Sequence, residues 1–206
     1  MCGIFFIQNF LKKDSLKMYK KSLLQNIKIY QDDLSKISHR GPDNSIFVND
    51  GNRCFGFHRL AINGLNSESN QPFLIKGCRL ICNGEIYNHK ELEKAVNNKI
   101  SYTTYSKSDC EILLPYFVEI CNDDIEMLLN SINGEFSLII INHNISTNFN
   151  TIYIGTDPMS VRPLFYQELT HNTNSGLLIS STLMGMSETG FINNRYGSKL
   201  TKLLGK

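Results

Sequence analysis

The sequence has 206 residues, of which 41% are hydrophobic and 19% are charged. This length allows one domain, or at most two small ones, and the composition excludes both a large multidomain protein and a disordered chain. The formal net charge of +2 gives no indication of a nucleic-acid or membrane partner, so we predict neither.

The first part of the chain is predicted to form a buried strand followed by a helix. Residues 2–7 are mostly apolar, which is typical of a short buried strand. From Ser15 onwards, apolar residues recur every three or four positions, which predicts one amphipathic helix. These residues are Leu16, Tyr19, Leu23, Ile27, Tyr30, Leu34 and Ile37. Asp14 or Ser15 is expected to cap the helix, and the segment His39-Arg40-Gly41-Pro42-Asp43 to end it.

The middle of the chain is predicted to contain short strands and then two helices. The β-type runs are Ser45–Val48, Arg53–Ile62, Phe73–Ile75 and Arg79–Cys82. Asn88 is expected to cap a short helix that ends near Ala95. A second helix should start near Ser108 or Asp109, and Pro115 should kink it or force a restart. Its inward residues are predicted to be Ile112, Leu113, Tyr116, Phe117 and Ile120.

The last part returns to strands, which defines the fold class. The predicted strands are Phe136–Asn142, Thr151–Thr156, Leu164–Gln167 and Leu177–Ser181, and the tail after Ser187 loses the β pattern. There is no βαβ alternation and no Gly-rich phosphate loop. Antiparallel sheets covered by helices are therefore expected, in an α+β layered sandwich.

The six cysteines do not indicate a disulfide framework or a zinc site. No hydrophobic targeting segment precedes or follows Cys2, and no apolar stretch reaches transmembrane length, so we predict a cytoplasmic location. Cys78 and Cys82 form a C-x3-C pair without a second pair to complete a metal site. The internal cysteines are therefore predicted to be buried, reduced thiols: Cys54, Cys78, Cys82, Cys110 and Cys121.

Cys2 directly follows the initiator Met, and this position has a chemical interpretation. Removal of Met1 would place a thiol and a free α-amine on the same residue. The unperturbed pKa of an α-amine is about 7.7–8.0 and that of a thiol about 8.5, so the amine can accept the thiol proton near neutral pH. The structural alternative is that Cys2 simply packs in a strand.

Ordered motifs give this position more weight. They are Cys2-Gly3-Ile4, His39-Arg40-Gly41-Pro42-Asp43, Phe57-His58-Arg59-Leu60-Ala61-Ile62, Gln71-Pro72, Asn83-Gly84-Glu85-Ile86-Tyr87-Asn88-His89, Ser108-Asp109-Cys110-Glu111, Asn133-Gly134-Glu135-Phe136, and Asp157 with Val161-Arg162-Pro163-Leu164-Phe165. Together they resemble the class II, N-terminal-nucleophile (Ntn) glutamine amidotransferases, most closely the glutaminase domain of glutamine-hydrolysing asparagine synthetase. The resemblance implies a four-layer αββα sandwich over residues 1–185. Residues 186–206 are then a tail, and no ATP- and aspartate-binding domain is expected.

The resemblance also implies a role for each matching residue. Cys2 is expected to attack the side-chain amide of L-glutamine, with an oxyanion hole formed by Asn83 and Gly84. Arg59 is expected to bind the α-carboxylate, and Asp109 and Glu85 the α-ammonium group. The pocket lining is implied to include Leu60, Ala61, Ile62 and Asn63. No cofactor or metal ion is expected.

Structural alternatives exist for several of these residues. Arg59 alone is typical of a surface salt bridge, and Asn83-Gly84 of a turn. Asp109 alone is typical of a helix N-cap, and it could cap a helix and bind substrate at once.

The histidines, and the loop of residues 39–43, are predicted to have structural and not catalytic roles. His39, Arg40 and Asp43 are predicted to order the backbone around Gly41 and Pro42. His58 and His89 are not predicted to be metal ligands or partners of a Cys-His dyad, because an N-terminal amine makes a histidine base unnecessary.

The sequence departs from the family late in the chain, which leaves alternatives open. Thr156 stands where the family usually has Arg, Ser160 where it usually has Gly, and Thr182 where a Glu is common. We expect a loss of the contacts that couple glutaminase to an acceptor domain, and a separate synthetase subunit as ammonia acceptor. The alternatives are a glutamine-binding regulatory module without turnover, and an Ntn amidase that acts on another γ-glutamyl amide.

Overall fold

The computed structural model describes residues 1–10, 27–144, 149–171, 174–186, 194–196 and 201–205. The strands in these ranges are β1 (Gly3–Phe10), β2 (Asn44–Asp50), β3 (Arg53–Arg59), β4 (Phe73–Ile75), β5 (Cys78–Ile86), β6 (Gly134–Asn144), β7 (Phe149–Thr156), β8 (Leu164–His171), β9 (Asn174–Ser180), β10 (Asn194–Tyr196) and β11 (Thr201–Gly205). The α-helices are α1 (27–35), α2 (His89–Lys99), α3 (Leu113–Glu119) and α4 (Ile125–Ser131). Short 3-10 helices cover Ser38–Arg40, Ser67–Ser69 and Leu183–Met186.

The chain divides into two compact units. Unit 1 comprises Met1–Leu60 and Pro163–Tyr196, and unit 2 comprises Ala61–Arg162 and Gly197–Lys206. Every strand pairing in the described residues is antiparallel, which confirms the predicted α+β class with antiparallel sheets.

Unit 1 is built on a six-stranded sheet in the order β10-β8-β9-β1-β3-β2. Helix α1 packs Tyr30 and Leu34 into a buried cluster with Phe5, Ile7 and other strand residues. The first part of the predicted helix, residues 11–26, lies outside the described residues. The spacing of Tyr30, Leu34 and Ile37 on one face is confirmed by their burial.

Unit 2 is built on a five-stranded sheet in the order β11-β7-β6-β5-β4. Its helix-covered face carries Leu80, Leu138 and Ile140, which share a buried cluster with residues of α2, α3 and α4. Since strand residues alternate between faces, the next residues point to the opposite side of the sheet. That face carries a set of buried isoleucines: Ile81, Ile139, Ile141, Ile152 and Ile154.

The predicted strand Arg53–Ile62 is shorter in the structure, and the predicted strand Arg79–Cys82 is longer. Strand β3 ends at Arg59 because its partners begin there: Asn44 of β2 pairs with Arg59, and Gly3 of β1 with His58. Strand β5 continues through Asn83 and Gly84 to Ile86 because β6 pairs with it along this whole length.

Pro115 requires neither a kink nor a special explanation. Residues 109–112 form turns, with hydrogen bonds such as Leu114 N to Glu111 O, and α3 begins only at Leu113. Pro115 therefore lies in the first turn, where its missing N–H has no intrahelical partner to lose. The predicted start at Ser108 or Asp109 is four or more residues too early.

Two further features were not predicted. Helix α4 starts after Asp124, whose carboxylate accepts hydrogen bonds from Glu126 N (2.9 Å) and Met127 N (3.2 Å). In the tail, where we predicted no β pattern, β10 pairs with β8 and β11 with β7. An edge strand gains backbone hydrogen bonds on one side without needing an alternating apolar pattern, so these strands leave a weak signal in the sequence.

Among the described helices, none is long and apolar enough to cross a membrane.

Candidate active site

The residues predicted to form the site are distributed over both units. Cys2, Arg59 and Leu60 lie in unit 1. The other predicted residues lie in unit 2: Ala61, Ile62, Asn63, Asn83, Gly84, Glu85 and Asp109.

The thiol of Cys2 lies against the backbone that leaves β3. The Leu60 N–H donates to Cys2 Sγ at 3.4 Å, and Cys2 Sγ lies 3.7 Å from the Leu60 carbonyl oxygen. Cys2 is half-buried and directly precedes β1, whereas Met1 in front of it is 50% exposed. The nucleophile candidate is thus held at the start of a central strand, with an accessible residue on its N-terminal side.

Arg40 contributes a second contact to Cys2. Its Nε donates to the Cys2 carbonyl oxygen at 3.0 Å, and its Nη2 lies 3.5 Å from Met1 Sδ. The loop that carries Arg40 lies close to β3, since a Cβ added to Gly41 would be 2.4 Å from the His58 carbonyl oxygen. Glycine is therefore required at Gly41 by close backbone approach, and Arg40 is positioned by that loop.

His58 has a structural place in unit 1. It is buried, its Nε2 donates to the Leu34 carbonyl oxygen at 2.7 Å, and its Nδ1 lies 2.7 Å from Ser45 Oγ. These two bonds tie β3 to α1 and β2. Both ring nitrogens of His58 thus have hydrogen-bonding partners within unit 1.

Asn83 and Gly84 lie inside β5, not in a turn. Asn83 is buried and pairs with Ser137, and Gly84 pairs with Phe136. A Cβ on Gly84 would be 2.3 Å from the Glu135 carbonyl oxygen. The close approach of β6 therefore requires glycine at this position, independently of any substrate.

Asp109 is held near the end of β5. Its Oδ2 accepts a hydrogen bond from Ile86 N at 2.6 Å, and the residue is buried. The N-cap of α3 is Ile112, so the alternative interpretation of Asp109 as the N-cap of this helix is wrong, because the helix starts later than predicted. One carboxylate oxygen of Asp109 is bound to the backbone, and the carboxylate has remaining acceptor capacity.

Glu85 of β5 lies directly beside another carboxylate on the neighbouring strand β6. It pairs directly with Glu135 of β6, and both residues are half-buried. Like charges directly opposite each other are unfavourable, and Arg162 Nη2 offsets this at 3.2 Å from Glu135 Oε2.

The segment that follows β3 has no regular structure. Leu60 and Ala61 are half-buried, whereas Ile62 is 62% exposed and Asn63 is exposed. The pocket role of these residues stays a prediction.

Glu111 organises the loop before Asp109, and no role was predicted for it. Its Oε1 accepts from Tyr102 Oη at 2.8 Å and Tyr105 N at 2.9 Å, and its Oε2 accepts from Ser106 N and Oγ at 2.7 and 2.5 Å. The pKa of Tyr102 is raised, mainly by burial and secondly by the hydrogen bond to Glu111. The Tyr102 hydroxyl therefore remains a hydrogen-bond donor. A buried carboxylate needs such partners, and the sequence signal was a Glu within an otherwise apolar run, Cys110–Tyr116.

We expect Glu111→Gln to destabilise the protein by about 2–4 kcal/mol, because the amide group loses acceptor capacity while buried N–H donors remain. The free energy of unfolding in urea measures this. Glu91→Gln on the exposed side of α2 is the matched control, with an expected change below about 1 kcal/mol. Equal effects of the two substitutions would contradict a special role for Glu111.

The six cysteines are free thiols, and all except Cys2 are buried, which confirms the prediction for the internal cysteines. Burial raises the pKa of Cys54 and of Cys78 to about 11, and that of Cys121 to about 12. These three thiols therefore stay protonated and unreactive at neutral pH.

Comparison with known proteins identifies the family. The model of the glutamine amidotransferase domain family matches residues 1–204. The chain is 35% identical over 150 residues to a probable glutamine-hydrolysing asparagine synthetase of Acanthamoeba polyphaga mimivirus, a match that covers 70% of this chain and 25% of that protein. It is 36% identical over 137 residues to asparagine synthetase 2 of Bacillus subtilis, which covers 66% of this chain and 17% of that protein.

A solved structure shows the fold. The glutamine phosphoribosylpyrophosphate amidotransferase of B. subtilis, complexed with ADP and GMP, matches with a TM-score of 0.67 at 16% identity. The match covers 100% of this chain and 49% of that chain. The likeness confirms the predicted Ntn-type α+β fold.

The chain spans only a part of its curated relatives, between 17% and 27% of the length of the first three. The family match covers nearly the whole chain, and the relatives agree with the family that the motifs indicated. The chain therefore belongs to the class II glutamine amidotransferases and is similar to the glutaminase part of asparagine synthetase.

Proposed function

We propose that this chain hydrolyses L-glutamine to glutamate and ammonia, with Cys2 as nucleophile after removal of Met1. The observation that carries the proposal is the position of the Cys2 thiol, at the start of β1 against the Leu60 N–H, behind an exposed Met1. Membership of the glutamine amidotransferase family supports glutamine as the substrate of this cysteine.

The proposed reaction has two steps. The thiol proton passes to the α-amine of Cys2, and the sulfur attacks the amide carbon. The C–N bond then breaks, the amine returns a proton to the leaving nitrogen, and ammonia departs. A glutamyl thioester on Cys2 remains. Water attacks the thioester, the C–S bond breaks, and glutamate is released with the thiol restored.

The oxyanion of both steps is proposed to be bound by Asn83 and Gly84. Asn83 offers a side-chain NH2 group and Gly84 a backbone N–H, the donor types that stabilise a tetrahedral intermediate. The burial of Asn83 supports this proposal, because a donor in a water-poor site interacts more strongly with a developing charge.

Recognition of the amino-acid part is proposed to use charge complementarity. Arg59 would bind the α-carboxylate, and Asp109 and Glu85 the α-ammonium group. Leu60, Ala61, Ile62 and Asn63 would line the pocket. The hydrogen bond from Ile86 N to Asp109 supports its role, since it fixes the orientation of the carboxylate.

We expect Arg59→Lys to raise KM for glutamine about tenfold or more with a smaller change in kcat, because a point charge replaces a bidentate guanidinium. Steady-state glutaminase kinetics measure both constants. Arg79→Lys on β5 is the control, with KM expected to stay within about twofold. A fall in kcat at unchanged KM for Arg59→Lys would contradict the binding role.

The ammonia is further proposed to serve a separate synthetase subunit. Thr156 and Ser160 stand where the family usually has Arg and Gly. These departures support the proposal, because they agree with a loss of the contacts that couple glutaminase to an acceptor domain.

If the chain acts on its own, ammonia should accumulate in equal amounts with glutamate when purified protein receives glutamine.

A glutamine assay separates the three functions under consideration. Formation of glutamate supports the glutaminase, whereas thermal stabilisation by glutamine without glutamate formation would favour a regulatory module. Faster hydrolysis of another γ-glutamyl amide than of glutamine would favour a different Ntn amidase.

A further inference from the structure

Within the ranges that the structure describes, the edge of β5 that faces β4 has no strand beside it after Leu80. Strand β4 pairs with β5 only at Cys78–Leu80, and the partner of Leu80 is Phe73. The same register, if continued, would place Gln71 opposite Cys82. There the side chain of Gln71 replaces the missing strand: its Nε2 donates to the Cys82 carbonyl oxygen at 2.9 Å, and Cys82 N donates to its Oε1 at 2.6 Å.

The carboxamide of Gln71 is the partner of both backbone groups of Cys82. Both residues are buried, and buried backbone groups need partners inside the protein. Without the Gln71 amide, the N–H and the carbonyl group of Cys82 would both lose their bonds. The Gln71 amide therefore determines where this part of β5 lies.

The backbone of Gly84 points to the same edge. Its partner on β6 is Phe136, whose N–H donates to Asp157 Oδ2 at 3.1 Å and whose carbonyl oxygen accepts from Asp157 N at 2.9 Å. The backbone groups of Phe136 are thus directed away from β5. In an antiparallel pair of this type, the opposed residue also directs its groups outward. The hydrogen bond from Cys110 Sγ to the Gly84 carbonyl oxygen, at 3.8 Å, agrees with this direction.

Side chains bind this edge on both sides of the Gly84 N–H. Gln71 binds Cys82 on one side. On the other side, Cys110 binds the Gly84 carbonyl oxygen, and Asp109 accepts from the N–H at the end of the strand. The Gly84 N–H itself has no acceptor among the described residues. The backbone donor proposed for the oxyanion therefore lies between edge groups that side chains hold in place.

We infer that Gln71 is a positioning residue of the proposed oxyanion hole. The Cys82 carbonyl oxygen belongs to the planar peptide group that joins Cys82 to Asn83, so the bond from Gln71 fixes that plane. Asn83 leads directly to both proposed donors, its own side-chain NH2 group and the N–H of its peptide bond to Gly84. This inference rests on the proposed glutaminase function, and it gives a role to Gln71 of the Gln71-Pro72 motif.

Gln71→Met tests the inference, because methionine has a similar length and volume but lacks the amide donor and acceptor. We expect kcat for glutamine hydrolysis to fall about tenfold to a hundredfold, with KM within about threefold of wild type. A displaced oxyanion donor weakens binding of the transition state more than binding of the substrate. Steady-state glutaminase kinetics measure both constants.

Asp124→Ala is the matched control for a general loss of stability. It also removes two bonds between a side chain and the backbone of unit 2, those from Glu126 N and Met127 N at the start of α4. Its kcat should stay within about twofold of wild type although the protein is less stable. Urea unfolding curves give the stability of both variants. Equal losses of kcat in the two variants would overturn the inference.

Gln71→Glu gives a readout that a purely structural role would not change. An ionised carboxylate only accepts hydrogen bonds, whereas a protonated carboxyl group donates through one oxygen and accepts through the other, as the carboxamide does. Burial raises the pKa of a carboxyl group and so favours the protonated form. The kcat of Gln71→Glu relative to wild type should therefore rise about threefold or more from about pH 8 to about pH 5.5. The same ratio for Gln71→Met should stay constant.

Wild-type kcat in Gln71→Met, or a raised KM at unchanged kcat, would overturn the inference and leave the proposed function intact. A pH-independent ratio for Gln71→Glu would overturn it as well, and this measurement decides the matter if Gln71→Met does not fold. Wild-type protein that forms no glutamate would overturn the proposed function and the inference together.

Discussion

Cys2→Ser is expected to lower glutamate formation from glutamine by at least about 10³-fold, which is the scale of loss when a covalent nucleophile is removed. A hydroxyl group is far less acidic than a thiol, and the α-amine cannot activate it to the same extent near neutral pH. The initial rate of glutamate formation at saturating glutamine measures the effect. A form that retains Met1 should be equally inactive, because it lacks the free amine on Cys2.

Cys54→Ser is the matched control for this substitution. Cys54 is buried in the core of unit 1, and its Sγ donates to Asn49 Oδ1 at 3.7 Å, a bond that serine can also form. We expect its glutaminase rate to stay within about threefold of wild type, since Cys54 has no chemical role. More than a tenth of the wild-type rate in Cys2→Ser would show that another group is the nucleophile.

Asn83→Ala is expected to lower kcat by about 10²- to 10³-fold with little change in KM. The side-chain NH2 group would act on the negative charge that develops in the tetrahedral intermediate, so its loss affects the transition state more than substrate binding. Steady-state kinetics, together with an unfolding curve that confirms the fold, measure this effect.

Asn98→Ala controls for the change of residue type, because Asn98 is exposed on α2. Its kcat should be that of wild type. If Asn83→Ala raised KM and left kcat unchanged, Asn83 would be a binding residue, and the oxyanion hole would need another donor.

The fold class could be predicted because strong local patterns agree with the tertiary structure. The apolar run that forms β1 and the spacing of Tyr30, Leu34 and Ile37 each have one clear interpretation, and their burial follows it. The end of β3 could not be predicted, because it depends on where β1 and β2 begin to pair with it.

Other elements show where local sequence is ambiguous. Asn83-Gly84 is typical of a turn, but pairing with β6 holds it inside β5. Pro115 suggested a broken helix, whereas a later helix start places it in the first turn. The strands of the tail depend on sheet edges that no local pattern reveals.

The order of the motifs indicated the candidate site, but no sequence pattern predicted the hydrogen bonds that hold its residues in place. The Arg40 bond to the Cys2 carbonyl joins residues 38 positions apart, and the Asp109 bond to Ile86 N joins residues 23 apart. Such contacts depend on the folded backbone. The roles of the site residues themselves remain proposals for the experiments above.

The most direct test of the central proposal is the mass spectrum of the N-terminal peptide after rapid acid quenching of the purified protein with glutamine. We predict a peptide that begins at Cys2, with part of the population carrying a glutamyl group on that residue. A peptide that retains Met1 in a preparation that still forms glutamate, or a glutamyl group on a different residue, would contradict the proposal.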